Sequence, residues 1–93
     1  MSDAPREIVV TLYTKPGCHL CEPVADVIAD AEKRRGFTFV TRNILDDAGD
    51  YDRYKHAIPV VAVNGREVAR YRLSLVDLLA ALDAVAAGAG GKS

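Results

Sequence analysis

Lys15-Pro16-Gly17-Cys18-His19-Leu20-Cys21 holds both cysteines of the chain, separated by two residues. An apolar run, Ile8-Val9-Val10-Thr11-Leu12-Tyr13, leads into it. A helical pattern leads out, with Leu20, Val24, Val27, Ile28 and Ala31 recurring at helix spacing. A Cys-x-x-Cys where a strand gives way to a helix is a redox signature with a physical cause. The amide dipoles at a helix N-terminus favour thiolate over thiol. The helix also sets the sulfurs one turn apart, close enough to alternate between dithiol and disulfide.

The chain around this stretch has 93 residues, enough for one domain and too few for two. Hydrophobic residues make up 49% of it, so a core forms without staples. A disulfide across so short a loop adds little chain-entropy stabilisation, which marks the cysteines as chemical rather than structural. The net charge of -1 and pI of about 6.1 argue against a nucleic-acid binder. No apolar run approaches the roughly 20 residues of a membrane span. The start, Met1-Ser2-Asp3-Ala4-Pro5-Arg6, lacks the apolar stretch of a secretion signal. A cytoplasmic address is expected, where a cysteine pair is more often catalytic or metal-binding than a static crosslink.

Residues 1–5 read as a flexible lead, 6–87 as the domain and 88–93 as a Gly-rich tail. Residues 6–13 form the first strand, and Pro16-Gly17 breaks it. A helix follows from Cys18 or His19 to Arg35, with Lys33-Arg34-Arg35 matching its negative end and Gly36 as the stop. Pro23 bears on its start. A helix from Glu22 places Pro23 well but leaves the sulfurs in a loop; the earlier start, with a loosened first turn, is the reading adopted.

Phe37-Thr38-Phe39-Val40-Thr41-Arg42 is a second strand, parallel to the first because a helix separates them. Asp46, Asp47, Asp50 and Asp52 read as a solvated loop and helix start, since a calcium loop needs a fuller ligand pattern. A short helix over 47–56 should turn Tyr51 and Tyr54 towards the core. The third strand is Ile58 to Val63, Asn64-Gly65 is a two-residue hairpin turn, and Arg66 to Tyr71 is the antiparallel fourth strand. Ser74 with Asp77 reads as a capping box ahead of a helix with the stripe Leu75, Leu78, Leu79, Leu82 and Val85. The order β-α-β-α-β-β-α implies an α/β protein with a mixed four-stranded sheet and helices on both faces, the minimal thioredoxin-like arrangement. Ala86 to Ser93 satisfies a loose phosphate-loop pattern but follows a helix instead of opening one, so nucleotide binding is not expected.

Leu12 to Cys21, then Ile58-Pro59, then Val63-Asn64-Gly65, resemble a glutaredoxin in order and spacing, and the likeness spans most of residues 6–87. The small glutaredoxin-like proteins with a Cys-His-Leu-Cys motif and poorly defined substrates are the most similar. The resemblance implies a thiol–disulfide oxidoreductase with Cys18 as attacking thiol and Cys21 as resolving thiol. It implies that Lys15 meets an anionic group and favours the thiolate, and that the backbone of Ile58 pairs with the substrate's peptide. It also implies that Pro59 is a cis-proline facing the cysteines; local sequence alone leaves the isomer open, since proline also sits at the first residue of a strand in either form. His19, beside the attacking sulfur, would favour the thiolate when protonated; an exposed histidine without a role is the plainer reading. His56 reads as a helix-end residue that binds nothing.

The likeness fails after the hairpin. Glutaredoxins usually place Gly-Gly and an acid there to meet the γ-glutamyl end of glutathione, where this chain has Ala69, Arg70 and Arg72. A cation in place of the acid repels that ammonium, which makes glutathione a poor co-substrate. Arg66, Arg70 and Arg72 read as a charged edge that resists aggregation, or as a positive rim for substrate. No cofactor is expected beyond the Cys18–Cys21 couple. The implied partners are a disulfide-containing protein or small thiol, and a reductant that is either glutathione or of thioredoxin-reductase type; a monomer is expected. The competing function is a metal or iron–sulfur module. Two thiolates are half of a closed zinc site, so it would need a dimer or added ligands.

Overall fold

The computed structural model describes residues 7–88. Val9-Val10-Thr11-Leu12-Tyr13 is apolar or β-branched throughout, as a strand buried on both faces requires, and it forms the central β1 (Val9–Thr14). On one side β1 pairs in parallel with β2 (Thr38–Asn43), from Val9↔Thr38 to Thr14↔Asn43. On the other it pairs antiparallel with β3 (Val60–Val63), from Val10↔Val63 to Tyr13↔Val60. β4 (Arg66–Arg70) completes the order β2-β1-β3-β4. Asn64 and Gly65, at φ 51° and 84°, make the tight hairpin between β3 and β4, where Gly and Asn accept the left-handed backbone most readily. The β3–β4 register slips by one residue, so Val61 faces Ala69, Ala62 faces Glu67, and Val68 is a bulge without a partner.

Strand alternation sorts the side chains into two cores. Val10, Leu12, Val61 and Val63 meet Val24, Ile28 and Ala31 of α1 (Cys21–Arg34) and Leu78 and Leu82 of α3 (Leu75–Gly88). On the opposite face Val60 and Tyr13 meet Tyr54 of α2 (Ala48–Tyr54), with Ile44 and Ala57 beside it. The expected architecture, helices on both faces of a mixed sheet, is the one observed. Ser74 Oγ accepts the Asp77 N–H at 3.0 Å and starts α3. No helix among the described residues is long and apolar enough to cross a membrane.

Several boundaries differ from the sequence reading, each for a local reason. α1 starts at Cys21 rather than at Cys18 or His19. Pro23 then falls within the first turn, where no helical carbonyl awaits its N–H, and no loosened turn is needed. Leu20 consequently drops out of the apolar stripe and is 54% exposed. A 3-10 turn (Ile44–Asp46) precedes α2, because Asn43 Oδ1 accepts the Leu45 N–H at 2.9 Å and Asp47 Oδ2 accepts that of Asp50 at 2.9 Å. α2 ends at Tyr54, short of 56, and only Tyr54 turns inward; Tyr51 lies on the outer face. β3 starts at Val60, two residues late, since Pro59 has no N–H for the ladder. β4 ends at Arg70 because Tyr71 has a φ of 68°. α3 runs through Gly88; the lead at 1–5 and residues 89–93 of the phosphate-loop-like stretch lie outside the described residues.

Candidate active site

Between β1 and α1 the chain makes two successive turns. In the first, Pro16 supplies a fixed φ and Gly17 the positive φ of 84° that a type II turn demands next, and the Cys18 N–H returns to the Lys15 carbonyl at 3.3 Å. In the second, the Cys21 N–H donates to the Cys18 carbonyl at 3.3 Å, and Cys21 becomes the first residue of α1. Cys18 therefore sits in a loop ahead of the helix and not on it. The two sulfurs are joined as a disulfide across a Cα–Cα distance of 5.5 Å, within the usual range.

The two sulfurs are not equivalent. Cys21 is buried, at 6% exposure, while Cys18 is half-buried and reachable. No side chain caps the N-terminus of α1; the Cys21 N–H is taken by the Cys18 carbonyl and Pro23 has none, so of the first three residues only Glu22 keeps a free amide for an anion beside it. Glu22, in the first turn, opposes this with a negative charge. Lys15 and His19 are both exposed on the turns that carry the cysteines.

Pro59 follows a cis peptide bond after Ile58 and is fully buried. The last β1–β3 pair is Tyr13↔Val60, so Pro59 stands opposite the end of β1, at the edge of the sheet from which the cysteine turns project. Ile58 is partly buried against the Tyr54 cluster. His56 lies beyond α2, and its carbonyl accepts the Tyr71 hydroxyl at 2.8 Å. Of the three arginines on the hairpin side, Arg70 is bound by the Glu67 carboxylate, whose pKa the contact lowers. Arg66 and Arg72 are exposed and make no salt bridge among the described residues. No group of three or more His, Cys, Asp or Glu among the described residues could hold a metal ion.

Beneath the sheet end lies a polar network that the sequence reading missed. Asp50, read as a member of a solvated acidic run, is buried, and its Oδ2 accepts from Arg42 Nη2 at 2.9 Å and Nε at 3.1 Å. This contact holds the Arg42 guanidinium pKa above its ordinary value. The signal was present: Asp50 precedes Tyr54 by four residues, so both occupy one face of α2, and Arg42 shares a sheet face with Tyr13 by register. Tyr13 packs on Tyr54 with ring centroids 4.5 Å apart, and the Arg42 guanidinium lies 5.9 Å over the Tyr13 ring.

Burial, then the neighbouring Tyr54 and Asp50, raise the Tyr13 pKa above 10.0. The folded state thus holds the phenol proton more tightly than the unfolded chain. The stabilisation is intact below the unfolded value and is lost as pH rises through the folded one. Thermal melts of the oxidised protein between about pH 8 and pH 11 should show a fall above pH 10 that is shallower in Tyr13→Phe. Parallel curves would assign the alkaline loss elsewhere.

A central β-strand leading to a cysteine pair at a helix start, with a cis-proline strand beside it, defines a thioredoxin-like fold of glutaredoxin type. The model of the Glutaredoxin-like domain (DUF836) matches residues 9–83, and the chain belongs to that family. An X-ray structure of the structural-genomics target protein XcR50 from X. campestris is 34% identical, with a TM-score of 0.67 over 81% of this chain and 96% of that one. The solution structure of protein Ne2328 from Nitrosomonas europaea is 23% identical, with a TM-score of 0.72 over 87% and 98%. Thioredoxin 1 from Thermosipho africanus shares the fold at 11% identity, with a TM-score of 0.58 over 81% and 90%.

Proposed function

We propose that the protein is a thiol–disulfide oxidoreductase in which Cys18 and Cys21 cycle between dithiol and disulfide. The observation that supports this best is the disulfide between a reachable Cys18 and a buried Cys21 at the start of α1. In the reduced protein the Cys18 thiolate attacks one sulfur of a substrate disulfide. A Cys18–substrate bond forms and the other substrate sulfur leaves as thiolate, taking a proton from water. Cys21 then loses its proton and attacks the Cys18 sulfur. The Cys18–Cys21 bond closes, the second substrate thiol departs, and two electrons have passed to the substrate.

Lys15 offers positive charge to the Cys18 thiolate and to anionic substrate groups, and His19 adds to it only in its protonated form. Ile58 and Pro59 present backbone to an extended substrate segment. The substrate is a disulfide-containing protein or a small disulfide, met in the cytoplasm. An external thiol reductant regenerates the dithiol, and Arg72, which makes no salt bridge among the described residues, favours one of thioredoxin-reductase type over glutathione.

The test is the alkylation rate of Cys18 against pH, followed by a reduction assay on the oxidised protein. An activated thiol titrates below the free-cysteine value of about 8.5. A Cys18 value at or above it would overturn the nucleophilic role. Glutathione is expected to reduce the disulfide slowly or not at all, and rapid glutathione turnover would remove the argument from Arg72.

A further inference from the structure

Tyr71 has the backbone of a residue under constraint. Its φ of 68° is rare for an L side chain without a short polar group. The Arg72 N–H donates to the Arg70 carbonyl at 2.7 Å across it, closing a three-residue turn of the positive-φ kind, the rarer and more strained form. The side chain is 48% exposed, so burial of the ring does not offset the strain.

Two hydrogen bonds account for it, and both end on the loop that carries the cis-proline. The Tyr71 N–H donates to the Pro59 carbonyl at 2.8 Å, and the Tyr71 hydroxyl donates to the His56 carbonyl at 2.8 Å. Facing residues at such a ladder position normally exchange two backbone bonds. Pro59 has no N–H to return. The hydroxyl supplies a second tie three residues upstream, and Ala57 and Ile58 are strung between the two anchored carbonyls. Among the described residues, Ile58 spends neither its N–H nor its C=O on a hydrogen bond.

We propose that Tyr71 is a positioning residue: its backbone and hydroxyl latch the His56–Pro59 segment so that the Ile58 backbone stays extended for an incoming peptide. This rests on the oxidoreductase reading for its use, though not for its geometry. The latch acts on substrates that bring a backbone, and it leaves the exchange chemistry of Cys18 untouched.

The test compares Tyr71→Phe, which deletes only the hydroxyl, with Tyr71→Asn, which tolerates the positive φ but cannot reach His56. Amide exchange in the oxidised, substrate-free protein should quicken in both variants at Ala57, whose N–H the Tyr54 carbonyl holds at 2.9 Å, and at residue 71, whose N–H the Pro59 carbonyl holds. With a disulfide-bearing peptide as substrate, KM should rise about threefold to tenfold, the worth of one hydrogen bond, at unchanged kcat. With hydroxyethyl disulfide, which has no peptide backbone, KM should not move. Unchanged exchange at Ala57 and at residue 71 would overturn the latch. Faster exchange with an unchanged peptide KM, or equal losses on both substrates, would overturn its role in substrate positioning. Absence of turnover by the unsubstituted protein would instead count against the oxidoreductase reading, while amide exchange still decides whether the latch exists.

Discussion

Cys18→Ser is expected to abolish disulfide exchange, with a loss on the order of a thousandfold or more, because a serine hydroxyl offers no comparable anion at neutral pH. Cys21→Ser should behave differently. Cys18 can still attack, but nothing internal resolves the product, so the protein accumulates as a covalent Cys18–substrate disulfide. Mass spectrometry of the quenched reaction reads this directly. The assignment follows from access: Cys18 is half-buried and Cys21 is 6% exposed. Were Cys18→Ser to form the trapped adduct and Cys21→Ser to remain inert, the order of attack would be reversed. Were both to retain turnover, the cysteine pair would have no part in the chemistry.

Ile28→Ala should give the largest loss of stability. Ile28 is fully buried on α1, in one cluster with Val10 and Leu12 of β1 and Leu78 and Leu82 of α3. Truncation removes apolar contact from two helices and the central strand at once and leaves a cavity that tightly packed neighbours fill poorly. The cost for such a site is about 2–5 kcal/mol. Against a total of about 5–15 kcal/mol for a domain, that is a large share. In a chain this short it should lower Tm by more than about 10 °C. Val76→Ala, at a site 74% exposed, is the control and should move Tm by little. A small effect of Ile28→Ala would mean that α1 is held by something other than its apolar stripe. Since Cys21 opens that helix, melting it should also raise the reactivity of the buried thiol in the reduced protein.

What could be read in the sequence was whatever rests on local periodicity. β1, the apolar stripe of α1, the Asn64-Gly65 hairpin and the Ser74 start of α3 each follow from spacing or from a residue with a fixed backbone habit. The parallel pairing of β1 with β2 and the antiparallel pairing of β3 with β4 follow from the lengths of their connections, whereas the antiparallel β1–β3 pairing that sets the sheet order was not read. Failures came where two local rules compete or where a distant partner decides. At α1, the pull of the cysteines towards the helix competed with the demand of Pro23 for a place in the first turn, and Pro23 prevailed. At Asp50, an acidic run hid a residue whose partner, Arg42, lies on a neighbouring strand. Tyr71 gave no signal at all, because its φ is imposed by bonds to a loop that the chain had left fifteen residues before. The cysteine pair itself was plain from the motif.

The displaced residue at Val68 bears on how this protein meets other sheets. A β4 margin that kinks there, and that displays Arg66, Glu67 and Arg70, is a poor template for an added strand. β2, at the opposite margin, runs six residues in unbroken register with β1. Intermolecular strand addition, when the protein is concentrated or partly unfolded, should therefore begin along Thr38–Asn43, and a lysine introduced at Val40 is the simplest way to suppress it.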